Sequence, residues 1–353
     1  MSGGGGANAR QALAARLQAG DPPDSWQVHP GGQLASYVDA GQVADLSDLY
    51  AENGWAEQMT PTVAALQGVG GKFYTVPIGV HRGNVLWTNP AVLATAGVTI
   101  DGSTTLDELI GSLDTIKASG VDAVCLGDKD VFASSELLES LLMSRLGADN
   151  WNSLFTNDFS FDSSEARQAL KDYSTFLSMA NSDHSALTWD EAAKNLAAGK
   201  CGVSLMGDWA YGEMVNAGFE PEKDFGWVTL PADSGDIFDY VGDGFSIPAT
   251  NVPNAAAAKA WLTALMDPKV QVEFAKQKGT IPAITTADIS SLSAYQKGSA
   301  ASFASGAVVS SLTHGQASTA ELSQTYADAT TTFNGDLNVE AFIASMTAAQ
   351  KNL

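Results

Sequence analysis

Hydrophobic and polar positions along this chain form two short apolar runs that each end in a Gly-Asp turn. The runs lie at residues 201–209 and 241–248. Each pattern is typical of a buried strand that delivers a polar or aromatic side chain at its end, where open α/β sheets hold ligands. Neither run contains a nucleophile beside a base. The pattern therefore predicts a site that holds a polar molecule with a flat apolar face, and not one that reacts with it.

Helix signals alternate with strand-like runs from Thr105 onward. Thr105 with Glu108, and Thr188 with Glu191, match the capping box that begins a helix. Proline at helix starts and glycine at helix ends follow the usual asymmetry elsewhere in the chain. This alternation favours an α/β fold with mostly parallel sheets covered by helices.

Length and charge limit the class of protein. A chain of 353 residues with 45% hydrophobic content is long enough for two lobes. Lys and Arg number 18 against 40 Asp and Glu, a net charge of −22, which repels phosphate backbones and anionic lipid heads. We therefore expect no nucleic acid partner and no membrane-surface binding, although an acidic balance also simply favours solubility.

The two cysteines, Cys125 and Cys201, form no CxxC pair, and no histidine cluster has metal-ligand spacing. We expect no metal site and no cofactor. Cys125 lies near the end of one apolar run and Cys201 near the start of another, so buried unreactive thiols are favoured over a disulfide. There is no apolar run of membrane-spanning length, and the first 25 residues carry no secretion signal pattern.

An ordered set of motifs covers nearly the whole chain and resembles the extracellular sugar-binding proteins of bacterial ABC importers, the family that includes maltose-binding protein. The match is closest to members that bind glucose or mannose, since Gln-Val-His29, Val-Pro-x-x-x-His81-Arg, Lys278-Gly and Leu-x-His314-Gly are similar to theirs. The motifs are residues 20–29, 74–78 with 84–87, 197–200 with 206–209, 243–248, 278–281 and 311–314.

This resemblance implies a two-lobed fold of the periplasmic-binding-protein kind (class II), with each lobe a mostly parallel sheet flanked by helices. The expected lobes are residues 1–88 with 245–300 and residues 89–244 with 301–353, joined by a hinge of several crossovers near 87–89, 240–244 and 298–302. The resemblance further implies a monomer outside the cytoplasm, a lipoprotein in its full-length form, which passes sugar to the permease subunits of an importer.

One departure from the family lies at the start of the chain. Family members begin with a strand, a helix and a second strand, whereas only Met1 and five short residues precede the first helical pattern here. We expect that about one βαβ unit, and a signal peptide with it, is missing. A shortened chain with an exposed strand edge at residues 25–29 and impaired sugar binding is therefore an alternative.

Sugar chemistry selects the candidate residues within the matched motifs. A pyranose offers an apolar face and a rim of hydroxyls, so its site needs an aromatic platform and strong hydrogen-bonding groups. Trp209, at a strand end, is the candidate platform, with a core residue as its alternative. Asp243, between two glycines, is the candidate acceptor for adjacent hydroxyls, with turn capping as its alternative.

The remaining candidates follow from the resemblance and from hydrogen-bonding capacity. Lys278 is a candidate hydroxyl donor, although a cation at a helix end is the ordinary interpretation. Gln27 and His29 alternate along one strand and so share a face. His81, His314 and Asp128 complete the expected ligand-binding set, whereas Arg82 is expected to form an inter-strand ion pair.

An enzyme is the competing class of function. Asp208 and Asp243 could serve as the paired carboxylates of a glycosidase. Neither residue lies in a motif that would raise a carboxyl pKa by burial, and no nucleophile elbow is present. The sequence therefore favours binding of a neutral monosaccharide, such as glucose or mannose, over catalysis.

Overall fold

The computed structural model describes residues 6–353, so the expectation for the first five residues lies outside the described part of the chain. The strands are β1 Trp26–Val28, β2 Gly68–Val69, β3 Lys72–Phe73, β4 Val76–Arg82, β5 Val85–Thr88, β6 Asp122–Val124, β7 Cys201–Leu205, β8 Gly226–Thr229, β9 Ile237–Ser246 and β10 Ala307–Ser310. The helices are α1 Ala7–Gln18, α2 Gly32–Asp39, α3 Ser47–Asn53, α4 Pro61–Leu66, α5 Pro90–Ala96, α6 Leu106–Ala118, α7 Phe132–Ser153, α8 Ser164–Ser178, α9 Trp189–Ala197, α10 Trp209–Asn216, α11 Ala255–Leu265, α12 Pro268–Lys278, α13 Ala294–Ser305, α14 Ala320–Asp336 and α15 Val339–Gln350.

Two four-stranded sheets, each packed against helices, organise the fold. In the first sheet β9 pairs antiparallel with β1 and β4 and parallel with β10. The second sheet has the order β6-β7-β5-β8, in which only β6 and β7 run parallel. The two-lobed α/β fold is confirmed, but the expectation of mostly parallel sheets is wrong. The sheets are mixed because β4 and β8 pass directly into strands of the other sheet, without a helical crossover back to their own.

Strand pairing divides the chain differently from the expected lobe ranges. Strand β5 lies in the second sheet, whereas β9, from residue 237, and β10 lie in the first. The crossings between sheets therefore fall at residues 83–84, between β8 and β9, and after β10. The ranges of the whole lobes stay a prediction, but the hinge positions expected from the resemblance are displaced by several residues.

Side-chain hydrogen bonds join the crossing strands. Asn84 accepts through Oδ1 from the backbone N of Asp239 at 3.2 Å and donates through Nδ2 to the carbonyl of Ile237 at 2.9 Å. Arg82 pairs with Asp236 at 2.7 Å and also donates to Ser302, as its expected ion-pairing role predicts. These bonds tie the first two crossings to each other.

Each sheet has its own hydrophobic core. The first core packs Tyr50, Val76 and Phe238 against α11 residues such as Leu262. The second is larger and packs α6, α7 and α8 onto the strands around Trp87. Within residues 6–353, no helix combines the length and apolarity that crossing a membrane requires.

Cys125 and Cys201 form a disulfide, so the expectation of free buried thiols is wrong. Strand β6 ends at Val124, and Cys125 lies just beyond it with its Cα 5.7 Å from that of Cys201, within the range that a disulfide spans. The two cysteines do lie at opposite ends of the parallel strands β6 and β7, but β6 has only three residues, so the two Cα atoms remain within reach of each other. A disulfide of this kind persists in oxidising compartments.

Candidate functional site

A cavity of about 320 Å³ lies between the edge of the first sheet and the helices of the second lobe. Every residue expected to bind ligand lines it except Asp128. Their role as ligand contacts stays a prediction. The residues around the cavity are Gly6, Ala9, Arg10, Leu13, Trp26, Gln27, Val28, His29, Gln33, His81, Phe132, Trp189, Trp209, Val241, Asp243, Lys278 and His314.

His81, on β4, joins two aspartates that come from different sheets. Its Nδ1 bonds Asp208, which follows β7, and its Nε2 lies 3.2 Å from Oδ2 of Asp243 on β9. Burial alone would lower the pKa of His81, but the two carboxylates outweigh burial and raise it to about 9. The imidazole is therefore protonated at neutral pH, and both of its nitrogens are engaged. We call these three residues the ionic cluster.

Asp243 carries the negative charge that faces the cavity. Burial favours its neutral form, but the hydrogen bond and charge of His81 hold the pKa of this carboxyl well below its usual range. Gln27 donates to its Oδ1 at 2.5 Å. The carboxylate is thus held in one orientation by neighbours on β1 and β4. The turn expected at Gly242-Asp243 and the turn-capping alternative are wrong, because Asp243 lies inside the continuous strand β9.

Asp208 does not line the cavity. Its side chain is fully buried, bonds His81 and accepts from the backbone N of Arg82 at 3.0 Å, and it makes no capping hydrogen bond to α10. The alternative of a glycosidase pair formed by Asp208 and Asp243 is therefore not supported, because both carboxylates share one imidazolium and only Asp243 borders the cavity. Burial does raise the pKa of the Asp208 carboxyl, so the expectation that neither pKa is raised by burial is wrong for this residue.

His29 and His314 meet at the cavity with ring centres 5.0 Å apart and planes nearly perpendicular. Nδ1 of His29 lies 3.0 Å from the carbonyl of Gly242, so this nitrogen donates and Nε2 is left as an acceptor. Nδ1 of His314 lies 3.1 Å from Oε1 of Glu136. Burial lowers the pKa of both imidazoles to about 4, so both are neutral at neutral pH.

Aromatic side chains form one wall of the cavity. Trp209 begins α10, and its ring lies 5.6 Å from His81, 5.2 Å from His314 and 5.9 Å from Phe132. The indole packs directly on Gly207, where an added Cβ would lie 2.2 Å from it. Trp209 is thus both largely buried, as its alternative interpretation holds, and part of the cavity wall.

Lys278 brings a positive charge to the cavity. It is the last residue of α12, and Gly279 beyond it adopts φ 88° and ends the helix. In the described part of the chain no carboxylate pairs with its ammonium group within 4 Å, since the ion pairs there involve other cations. Lys278 therefore lies both at a helix end, as its ordinary interpretation holds, and beside the cavity.

Asp128 does not line the cavity, so its expected position in the site is wrong. Its Oδ2 accepts from Asn334 on α14 at 3.0 Å, and burial raises the pKa of its carboxyl. The residue follows the strand through Cys125, as expected, but the chain turns into the second lobe there. Asp128 connects the loop to α14 and does not face a ligand.

Several cavity residues were not predicted from the sequence. Phe132 starts α7 after Val131, whose φ of 60° is unusual for a β-branched residue, and Trp189 starts α9. Gln33 accepts from the backbone N of His29 at 2.9 Å. Arg10 comes from α1. The only sequence signal was that both aromatic residues begin helices, which by itself predicts no ligand contact.

Among residues 6–353, no group of three or more His, Cys, Asp or Glu side chains has the geometry to hold a metal ion. The cavity presents the carboxylate of Asp243, the cationic groups of Arg10, His81 and Lys278, two neutral imidazoles and an aromatic wall. This set suits a neutral molecule with many hydroxyls and one apolar face.

Known proteins share this sequence pattern and fold. Residues 1–272 match the family described as bacterial extracellular solute-binding protein. An uncharacterized ABC transporter extracellular-binding protein of Pyrococcus horikoshii is 32% identical over 80% of this chain, which spans 63% of that relative's length. A probable sugar-binding periplasmic protein of Brucella suis is 27% identical over 99% of this chain and 83% of its own.

Solved structures agree on the fold. A chitin oligosaccharide binding protein superposes with a TM-score of 0.85 at 19% sequence identity, and the match covers 96% of this chain and 86% of that one. At this level of identity the likeness concerns the fold alone.

Proposed function

Because this chain belongs to the bacterial extracellular solute-binding protein family, whose members are binding proteins and not enzymes, we propose that its cavity binds a neutral sugar. The observation that carries the proposal is the ionised Asp243, held by His81 and Gln27, beside the indole of Trp209. A carboxylate accepts strongly from adjacent hydroxyls, and an indole packs on the apolar face of a pyranose.

A monosaccharide, with glucose or mannose as first choices, is the proposed ligand. A volume of about 320 Å³ lies at the lower end of the range for ligand pockets, which favours one ring over a chain of rings. The motifs around His29, Lys278 and His314 support glucose or mannose, because they resemble those of glucose and mannose binders. Lys278 would donate to a hydroxyl of the ring.

The proposed sugar reaches an importer permease outside the cytoplasm. The cavity is bordered by both lobes, so a ligand that contacts both would favour their closed arrangement, the form presented to the permease. The Cys125–Cys201 disulfide supports an oxidising compartment, and a periplasmic relative supports the same location. A monomer and a lipid anchor in a longer form stay predictions.

Thermal shift and calorimetry with a panel of sugars test this proposal. The panel contains glucose, mannose, galactose, xylose, maltose and, as a polyol without a ring, sorbitol. A sugar at a hundred times its Kd should add about 2.7 kcal/mol to the free energy of unfolding. Trp209→Ala and His314→Ala should each abolish that gain. Trp261→Ala is the matched control, because Trp261 is 44% exposed and does not line the cavity.

A folded protein that none of the cyclic sugars stabilises contradicts the proposal, or favours the alternative in which this length of chain binds sugar poorly. Stabilisation that survives both cavity substitutions would move the site elsewhere. Release of product from aryl glycosides at enzyme-like rates would contradict binding as the function.

A further inference from the structure

Two helices that carry proposed ligand residues meet between the lobes through a pair of glycines. Helix α10 begins with Trp209 and contains Gly212, and α12 ends at Lys278 and is followed by Gly279. Trp209 and Lys278 both line the cavity. The meeting of Gly212 and Gly279 with the facing backbone, which we call the glycine contact, therefore lies within one helical turn of two groups of the proposed site.

Helix α10 belongs to the second lobe and α12 to the first. Ala210 and Met214 of α10 are buried in the second core, with Trp87. Gln271 of α12 donates to the carbonyl of Pro77 on β4 at 3.0 Å. The glycine contact is therefore a contact between the two lobes.

The two helices approach each other too closely for a side chain at either glycine. A Cβ on Gly212 would lie 2.5 Å from the carbonyl oxygen of Gln277 and 2.8 Å from that of Lys278. A Cβ on Gly279, whose φ is 88°, would lie 2.4 Å from the carbonyl oxygen of Asp208. The obstructing atoms belong to the backbone, so a change of rotamer cannot relieve the clash.

Buried amide side chains hold the end of α12 in place on the first lobe. Gln271 accepts through Oε1 from the backbone N of Ala283 at 2.8 Å. Gln296 of α13 donates to the carbonyls of Ala275 and Thr280, both at 2.7 Å. Both glutamines are buried. The chain on either side of Gly279 is therefore fixed where it meets α10.

Neighbouring residues extend the glycine contact in two directions. Tyr211, which precedes Gly212, stacks on Tyr295 of α13 with ring centres 5.4 Å apart and planes 19° apart. Towards the surface, Asn216 donates through Nδ2 to the carbonyl of Gln277 at 3.5 Å. Positions 208, 212 and 216 recur every four residues and share one face of α10. That face packs on the end of α12.

We propose that Gly212 and Gly279 are positioning residues, whose contact sets the separation between the ring of Trp209 and the ammonium group of Lys278. This inference rests on the proposed sugar site. A pyranose that packs on the indole presents one hydroxyl to Lys278 only within a narrow range of separations. A wider separation breaks one of these two ligand contacts.

Thermal unfolding of the ligand-free protein tests the contact without a sugar. Gly212→Ala should lower the midpoint of unfolding, because the added methyl group forces α10 away from α12. Gly111→Ala is the matched control. Gly111 lies inside α6, and its added Cβ meets nothing within 4 Å, so this variant should be at least as stable as wild type.

A Gly212→Ala protein that gains stability as the control does overturns the inference. This result needs no sugar, so it is distinguishable from failure of the proposed function.

Calorimetry with glucose, or with the best sugar of the panel, measures the effect on the site. Gly212→Ala should weaken binding about 10-fold or more, the loss expected when a hydrogen bond to a charged donor is broken. Gly111→Ala should bind as wild type does. A folded Gly212→Ala protein with wild-type affinity overturns the inference.

A double-mutant cycle with Lys278→Met separates positioning from a general loss of structure. Methionine keeps the apolar stem and removes the ammonium group. Lys278→Met should weaken sugar binding about 10-fold in wild type but about 2-fold or less in Gly212→Ala, because the ammonium group is already displaced there. Losses that multiply, as they do for independent sites, overturn the inference.

Asn216→Asp tests the same contact from the surface, where folding is not at risk. Its carboxylate faces the carbonyl end of α12 and repels it, so sugar binding should weaken about 2- to 5-fold. Asn53→Asp is the matched control, since Asn53 is an exposed residue at the end of α3 that also donates to a backbone carbonyl and does not line the cavity. Equal affinities of these two variants overturn the inference, whether or not Gly212→Ala folds.

Discussion

Asp239 and Asp243 are the same residue type on the same face of β9, yet they differ in charge. Asp243 lies against the imidazolium of His81 and is ionised, whereas Asp239 lies against Glu136 and Glu139 and is neutral. Both side chains are buried. The difference shows that burial does not decide the charge of a carboxyl by itself; the partner it is buried with does.

The two clusters also have different roles in the region between the lobes. The ionic cluster presents a fixed negative charge to the cavity. Behind it lie the buried carboxyl groups of Glu136, Glu139 and Asp239, the acidic cluster, of which Glu139 anchors the loop of His314 by accepting from Leu312 and Thr313. Trp209 and His314 lie between them, with ring centres 5.2 Å apart. A change in one cluster should therefore leave the charge of the other largely unchanged, which the following predictions test.

Removal of the cation should have the largest effect. His81→Leu leaves Asp208 and Asp243 buried without their counter-charge, so the free energy of unfolding should fall by about 3–5 kcal/mol at neutral pH. Chemical denaturation measures the change. Adding Asp208→Asn to His81→Leu should recover part of the loss, because one unpaired charge is removed. Additive losses in the double variant would show that the ion pair is not the source.

The free energy of unfolding of the wild type should fall steadily as pH rises across the neutral range. The pKa of His81 is raised from 6.5 to about 9 by folding, so its contribution is complete below about pH 6.5 and is lost as pH rises to about 9. The free energy of unfolding should fall by about 3 kcal/mol over this interval from His81 alone. The acidic cluster, with raised pKa values, adds to the fall.

Below the neutral range the sign reverses because of His29, His314 and Asp243. Folding lowers the pKa of both imidazoles from 6.5 to about 4, so their contribution is lost as pH falls over that interval. The pKa of Asp243 is also depressed by folding, so its contribution is present above about pH 4 and is lost at lower pH. Maximal stability should therefore lie in mildly acidic solution. His81→Leu should lose most of the alkaline fall, and an unchanged fall in that variant would assign it to other groups.

The matched pair Asp239→Asn and Asp243→Asn compares the two clusters most directly. Asp243→Asn removes the charge that His81 needs and should cost about 2 kcal/mol in stability and at least about 10-fold in sugar affinity. Asp239→Asn removes a carboxyl that is neutral when folded. Folding raises the pKa of Asp239 well above its usual value, so the stability of this variant relative to wild type should increase from about pH 4 to neutral pH, with sugar affinity retained.

Chemical denaturation measures the stability of both variants at about pH 4 and at neutral pH, and calorimetry measures their sugar affinity. Opposite signs support the assignment of charges. Destabilisation by Asp239→Asn that grows with pH would mean that Asp239 is ionised.

The aromatic wall should give the smallest effect. Trp209→Phe keeps a ring between the clusters but removes part of the surface that packs on a sugar, so binding should weaken by about 1 kcal/mol, or roughly 5-fold. The alkaline fall in stability should stay unchanged. A shift in that fall would show that the indole does more than pack.

Local structure was largely predictable from sequence because capping residues act over a few positions. The capping boxes at Thr105 and Thr188 are present as expected, and helix α5 begins after Asn89 and ends at Gly97. Strand β10 was not predicted from the sequence. That strand is short and pairs with distant β9, so its own residues carry little signal.

The sequence predicted which residues line the candidate site, but not which residues pair with one another there. Gln27, His29, Trp209 and His314 line one cavity, as their motifs indicate. Their pairing with groups elsewhere, such as Gln27 with Asp243, joins residues far apart in the chain and has no pattern in the sequence. Asp128 was misplaced for the same reason, because a turn after β6 directs it toward α14.

The sequence by itself determined the secondary structure near each cap, the class of fold and most of the side chains around the cavity. These depend on local propensity, on periodicity and on motifs that resemble a known family. Only the tertiary structure decided the disulfide, the mixed pairing of the sheets and the charge of each buried carboxyl. Those properties depend on which groups meet across long stretches of chain, since burial makes a charge costly and only a neighbour in space can offset that cost.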